Sequence, residues 1–379
     1  MKKNLFKFSI LLSVLLFSSC SNDDNSSSDN DINGMKAISF EMKADKEISA
    51  KATGNTAVIN GEAKKEYSVT TEKSDMVDVP SLSRESGIEA TLLYPGSILR
   101  GSSFINGVYD PLILKNSFKP VNLFLTIKSN GLNGSIQVNP TGSSVNNGIS
   151  TLLGNYKDKF SVEYIPANYS YESTEINNEE SFIKASKVHA KANYSILASS
   201  SFGYSNSQNT VEKKKYVLVK LNQTIYSAGI DPKYQTDWIE GSISKKEAGD
   251  YEPVYISSID YGRAAYINIE TDLSTKEAEK MVESSIKVGI GKIGGNIDYN
   301  YNENFKKLFS SNKVKVSIIG GDAKTIVTDY DSFIKYLSLG NDDSFLLTAA
   351  PISYTIRKLL NNTQVSIVNQ YKDVQNIYR

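Results

Sequence analysis

Cysteine and histidine each occur once in the 379 residues of this chain. That scarcity removes disulfide frameworks, Cys/His zinc sites and Cys-x-x-Cys redox motifs, and a Ser-His-Asp site would have to be built on His189. Tryptophan is confined to Trp238, and there are only 9 prolines. Neither sign of charge dominates, with 42 Lys and Arg against 42 Asp and Glu. No strongly basic face is implied, so nucleic acid is not an expected partner. Beyond the N-terminal segment no stretch approaches about 18 uncharged apolar residues, so the folded body has no spanning helix and any membrane entry must use strands. No H-E-x-x-H, G-x-S-x-G or tight carboxylate pair stands in a convincing context. The chain reads as a non-enzyme without a cofactor or metal.

The length allows two or three domains of roughly 100 to 200 residues, and 23 Tyr with 14 Phe point to a folded mixed protein with substantial β content. Residues 1–19 form an export signal: a basic Lys2-Lys3 start, then an apolar stretch from Phe8 to Phe17 broken only by Ser9 and Ser13. Ser18-Ser19 directly before Cys20 resemble a bacterial lipoprotein signal, with cleavage before Cys20 and acylation of its thiol. The alternative is ordinary secretion with a spectator Cys20. Residues 20–36, acidic and Ser-rich, read as a solvated tether of the kind that directs lipoproteins to a bacterial surface. The expected location is outside the cell, as a surface or outer-membrane lipoprotein or in released form.

Period-2 patterns recur in Lys215 to Ser227, Val254 to Thr271 and Lys313 to Ile319, as strands of one sheet. Between them lie two inserts, about 179–212 and 274–312, whose openings (NNEESFIKASKV and STKEAEKMVESSIKV) read as helical. Each insert also alternates, which a helix does not require. In the first, Val188, Ala190, Ala192, Tyr194, Ile196, Ala198, Phe202 and Tyr204 form an apolar or small face against Lys187, His189, Lys191 and Asn193. In the second, Ile286, Val288 and Ile290 oppose Lys287, Gly289 and Gly291, and Ile297, Tyr299 and Tyr301 oppose Asp298, Asn300 and Asn302. Apolar-out, polar-in alternation over about 9 to 11 residues is what a membrane-spanning β-strand needs. On this pattern His189 faces solvent or a lumen. Gly289-Ile-Gly291-Lys-Ile-Gly294 fits a dinucleotide-binding pattern, but the following GNIDYNYNEN alternates as a strand and offers no helix N-terminus for a pyrophosphate.

Short pieces along the chain then match a known family in its order. They are Leu93-Tyr94-Pro95-Gly96, Pro166-Ala167, Glu212-Lys213-Lys214, Asn222-Gln223-Thr224-Ile225-Tyr226, Val254-Tyr255-Ile256-Ser257-Ser258, Tyr261-Gly262-Arg263, Tyr266 to Thr271, Gly320-Gly321-Asp322-Ala323 and Pro351-Ile352-Ser353-Tyr354-Thr355. On these the chain resembles the cholesterol-dependent, or thiol-activated, cytolysins of the membrane-attack-complex/perforin and cytolysin superfamily.

The resemblance implies an α+β fold with a bent, twisted antiparallel core sheet flanked by two helical clusters, in discontinuous domains. It divides the chain into 37–165, 166–228 (with hairpin 1), 229–253, 254–322 (with hairpin 2), 323–360 and a returning segment 361–379. It implies pore formation: subunits assemble in a ring on membrane lipid and both clusters unwind into β-hairpins of one barrel. Gly320 and Gly321 match the family's hinge glycines. Tyr169 or Tyr171, Glu172 and Val314 fall at its assembly contacts, while the lysine that would pair with Glu172 falls near Asp329 or in a gap. No C-terminal β-sandwich with a Cys- and Trp-rich recognition loop is read here. Direct cholesterol binding is therefore not expected, and a longer partner carrying the membrane-binding domain is. The competing expectation is a non-lytic surface lipoprotein that uses the same scaffold for binding or adhesion.

Overall fold

The computed structural model describes residues 34–78, 80, 92–115, 117–127, 133–156, 169–176, 184–185, 187, 189, 216–290, 298–321, 326–338 and 344–379. Its strands are β1 Lys46–Ile59, β2 Glu62–Val77, β3 Ile98–Leu99, β4 Val121–Ile127, β5 Asn133–Val138, β6 Tyr169–Ile176, β7 Tyr216–Ile230, β8 Val254–Glu270, β9 Val314–Ile319, β10 Ala350–Lys358 and β11 Ile367–Tyr378. The helices are α1 Gly101–Ile105, α2 Gly142–Gly154, α3 Lys245–Ala248, α4 Thr275–Ile290, α5 Tyr299–Ser310, α6 Tyr330–Leu337 and α7 Ser344–Leu347.

A three-stranded antiparallel sheet has the order β1-β2-β11. Its hairpin turns at Asn60-Gly61, both at positive φ, the conformation that lets a two-residue turn follow the strand twist. The larger sheet is built on β7 and β8, which pair antiparallel from Tyr216↔Glu270 to Gly229↔Ser258. Both are rich in β-branched and aromatic residues and are buried on both faces. One face, with Val217, Val219, Leu221, Ala265, Ile267 and Ile269, packs on α4, α5 and α6. The other joins the core that holds β4, α2 and Trp238. At about 1.5–3 kcal/mol for each large side chain taken from water, these two layers supply the main stabilisation of the sheet.

β7 and β8 change outer partners midway. Toward one end β4 lies beside β7 and β10 beside β8; toward the other, β6 and β9 take those places. The changeover coincides with a register shift in β7 between Thr224 and Tyr226, facing Gly262 of β8. A Cβ on Gly262 would collide with the Gln223 carbonyl, and one on Gly320 would collide with the Gly262 carbonyl. Backbone thus packs on backbone where the sheet switches neighbours.

The second insert is a pair of helices. Ser274 and Glu277 form a reciprocal cap at the start of α4: Glu277 N donates to Ser274 Oγ at 3.3 Å and Ser274 N to the Glu277 carboxylate at 2.9 Å. α4 then buries Ala278, Met281, Val282, Ser285 and Ile286 at helical spacing. The expectation that GNIDYNYNEN offers no helix is corrected, because α5 begins at Tyr299. Asp298 accepts from the N–H groups of Asn300 and Tyr301, and Asn302, Phe305 and Phe309 recur at helical spacing onto the core. Its few alternating residues satisfy both periods, and the cap with the two phenylalanines decides for helix. Residues 291–297, including Gly291, Gly294 and Ile297, lie outside the described residues.

Gly262→Ala tests the crowded changeover. Overpacking of this kind costs about 1–3 kcal/mol, read as a lower urea midpoint at unchanged m value, whereas Gly54→Ala, at an open position, should show only the smaller cost of a side chain at positive φ.

Candidate functional site

Four strands end together at one edge of the larger sheet. Ile176, the last residue of β6, stands opposite Tyr216, the first of β7. Tyr216 in turn stands opposite Glu270, the last residue of β8. Ile269 faces Val314, where β9 begins, and Glu270 N donates to Lys313 O at 2.8 Å. The chain leaves this edge after Ile176 and returns at Tyr216, then leaves after Glu270 and returns at Val314. Each insert therefore departs from and rejoins a pair of neighbouring, hydrogen-bonded strands.

The second insert is stored against the sheet by apolar packing. Phe305, Phe309, Tyr330 and Phe333 form an aromatic group with centroid separations of 5.1 to 6.4 Å between α5 and α6. Ile286 is buried in this layer, Val288 and Tyr301 are half-buried, and Tyr299 is 70% exposed. Ile290 ends α4. Among the described residues no helix is long and apolar enough to cross a membrane.

Arg263 ties α6 to the sheet at the changeover. Its buried guanidinium donates to Gln223 Oε1 from Nε at 3.0 Å and from Nη2 at 2.8 Å. Nη1 reaches Tyr336 O at 2.5 Å, and Nη2 reaches Leu337 O at 3.4 Å and the Tyr169 hydroxyl at 3.3 Å. It thereby satisfies carbonyls at the C-terminal end of α6, where a helix has no acceptor partners of its own and favours a cation. The Tyr336 hydroxyl sits 3.0 Å from Ala264 O and 3.1 Å from Ile319 O, bridging β8 and β9. Burial raises its pKa well above the ordinary tyrosine value, with Arg263 opposing, so it stays a proton donor. Gly320 and Gly321 follow β9 at φ 70° and 86°. Gly321 N donates to Thr348 O at 2.9 Å, and a Cβ there would meet the Tyr336 ring at 3.2 Å.

This geometry sits within a chain whose residues 29–377 match the family model for thiol-activated cytolysins. The chain belongs to the thiol-activated cytolysin family. It is 26% identical over 354 residues to perfringolysin O of Clostridium perfringens, covering 89% of this chain and 65% of that protein. It is 25% identical to tetanolysin of Clostridium tetani, covering 74% of this chain and 53% of that one. It thus spans less than two thirds of the length of these relatives. The fold is similar to that of suilysin from Streptococcus suis, with a TM-score of 0.63 at 16% identity over 90% of this chain and 72% of the suilysin chain. Thiol-activated cytolysins are pore-forming toxins rather than enzymes.

Among the residues that the resemblance to thiol-activated cytolysins singles out, Tyr169 and Tyr171 lie on β6 and contribute to the layer beneath α4 and α6. The Tyr169 hydroxyl also lies 3.5 Å from Leu337 O, and burial raises its pKa while Arg263 opposes the shift. Burial and the nearby Glu283 and Glu279 raise that of Tyr171. Val314 is buried at the start of β9. Glu172 is paired within the chain, accepting from Lys187 Nζ at 2.7 Å, and Asp329 is the N-cap of α6, accepting from Ser332 N at 2.8 Å.

His189 is a correction. It was expected on a wet face, yet it is buried among Phe104, Phe40 and Tyr109, with Nε2 2.6 Å from Phe104 O. Aromatic side chains distant in sequence outweigh its local alternation. Cys20, Val188, Ala190, Ala192, Tyr194, Ile196, Ala198, Phe202 and Tyr204 lie outside the described residues.

Arg263, Gln223 and Tyr336 had no role assigned from sequence, though an arginine inside a strand buried on both faces was the available signal. Replacing Arg263 with Met leaves Gln223 Oε1 and two helix carbonyls without their charged donor, at about 1.5–3 kcal/mol for each such bond. The expected result is faster amide exchange across Tyr330–Leu337 and at Ile319, with β1, β2 and β11 unchanged. Uniform loss of protection would contradict a local clamp.

Proposed function

We propose that this chain is a pore-forming subunit whose two inserts unwind and prolong the four-stranded edge into a membrane, copies side by side closing a β-barrel. The supporting observation is the common edge. Straightening the segment between Glu270 and Val314 would continue β8 and β9 as an existing antiparallel pair, with no change of strand order, and the segment between Ile176 and Tyr216 stands in the same relation to β6 and β7. In lipid every backbone group must be paired, and a hairpin from one subunit leaves bare edges, so a closed ring is the arrangement that satisfies them. In this reading Gly320 and Gly321 are the hinge, release of the Arg263 clamp frees α6 from the β9 side, and Tyr169, Tyr171 and Val314 become available to neighbours.

Tyr299 adds support. A large aromatic side chain exposed on a helix is explained if it serves the lipid face of a strand with Ile297 and Tyr301, opposite Ile286, Val288 and Ile290; the matching face of hairpin 1 runs from Val188 to Tyr204. The engagement of Glu172 with Lys187 and of Asp329 in a helix cap favours mixed assembly with a longer relative that supplies membrane targeting. Export and acylation at Cys20 would hold the chain on the producing cell before assembly.

Dye release from liposomes and target-cell membranes, by the full chain alone and with a longer cytolysin relative, tests the proposal. Tyr299→Arg, at an exposed position, should leave the far-UV spectrum unchanged and abolish release, since Arg on a lipid-facing strand costs about 2–4 kcal/mol at the bilayer midplane. Release undiminished in Tyr299→Arg would overturn the assigned lipid face. No release by the unaltered chain in either pairing would favour a non-lytic binding module.

A further inference from the structure

The buried stripe of α4 contains a polar residue at its centre. Ser285 is fully buried between Met281, Val282 and Ile286, and Asn302 is likewise buried one turn before Phe305 on α5. The two meet: the Ser285 hydroxyl lies 3.1 Å from Asn302 Oδ1 and 3.0 Å from its own helix carbonyl at Met281. The buried Tyr330 hydroxyl from α6 also donates to Asn302 Oδ1. Beside them Ser284 Oγ donates to Asp298 O at 2.8 Å. Stability alone does not call for this arrangement, because replacing both members of a buried hydrogen-bonded pair by apolar groups of the same shape is close to neutral or stabilising. A second state of the same segment explains it.

In a strand hairpin the apolar set of the first arm must face the apolar set of the second. Placing Ile286 opposite Tyr301, Val288 opposite Tyr299 and Ile290 opposite Ile297 leaves Lys292-Ile293-Gly294-Gly295 at the turn. The polar face then pairs Gly289 with Asp298, Lys287 with Asn300, and Ser285 with Asn302. Ser285 and Asn302, in contact in the helical pair, are therefore also a cross-strand pair in this register, whereas Ser284 and Asp298 are not. A slip of one residue would turn every side chain to the wrong face. A slip of two keeps the faces, closes a two-residue turn at Gly294-Gly295 of the kind that favours hairpins, and sets Asn302 opposite Lys287. Face polarity does not separate these last two registers; the Ser285–Asn302 contact does.

We propose that Ser285 and Asn302 are positioning residues that act as a register pin, a contact retained while α4 and α5 convert to strands. The pin rests on the pore-forming reading above. Its test uses the full chain in a Cys20→Ser background, with either Ser285→Cys/Asn302→Cys or Lys287→Cys/Asn302→Cys, assembled reduced on liposomes and oxidised after dye release is complete. The pin predicts an intramolecular disulfide in the first pair at several-fold higher yield than in the second. Dominance of the second pair, or no crosslink in either, overturns the pin while leaving the pore intact. A Ser285→Ala/Asn302→Leu/Tyr330→Phe chain, which removes every side-chain member of the buried hydrogen-bonded group, provides a separate readout, expected to keep close to native stability but release dye several-fold more slowly; an unchanged rate also counts against the pin. If the unaltered chain releases no dye, the pore reading falls and the pin falls with it.

Discussion

β7 and β8 hold one another by backbone hydrogen bonds from Tyr216↔Glu270 to Gly229↔Ser258, and the other parts of the larger sheet are arranged around that ladder. Because both strands outrun any single neighbour, each takes one partner toward one end and another toward the other. The exchange of partners requires a place where backbones crowd, which Gly262 and Gly320 provide by carrying no Cβ. The same exchange exposes carbonyls and strand ends that need donors. The Tyr336 hydroxyl donates to the strand carbonyls of Ala264 and Ile319, Arg263 donates to the α6 carbonyls of Tyr336 and Leu337, and together they hold α6 in place.

The second insert carries two structural codes in one sequence. Its helical code is a stripe of Ala278, Met281, Val282, Ile286, Phe305 and Phe309 that keeps the insert stored on the sheet. Its strand code is the alternation that includes half-buried Val288 and exposed Tyr299. The two codes compete for Ser285 and Asn302, where the helical state gives up apolar packing and recovers the cost through hydrogen bonds. The insert is held by side-chain layers, and its flanking strands β8 and β9 are paired with one another where it leaves the sheet; in the proposed function that pair receives it.

The legible part of the fold lay in local pattern. The β-branched runs of β7, β8 and β9 announced one sheet, and the opening STKEAEKMVESSIKV announced α4, because both signals are local in sequence. α5 was hidden, since Ile297, Tyr299 and Tyr301 alternate as a strand and the evidence for helix lies in Asp298 capping and in Phe305 and Phe309 further on. The surroundings of His189 come from Phe40, Phe104 and Tyr109, and those of Arg263 from Gln223, Tyr169, Tyr336 and Leu337. Such long-range contacts leave no periodic trace. Tyr261-Gly262-Arg263 carried the family resemblance, but only the folded chain shows what the glycine makes room for and what the arginine holds.

The infrared amide I spectrum of the protein on liposomes during dye release tests the central claim most directly. Conversion of α4 and α5 into extensions of β8 and β9 predicts that helical intensity falls and antiparallel β intensity rises in step with release. Dye release with the helical intensity intact would contradict the account.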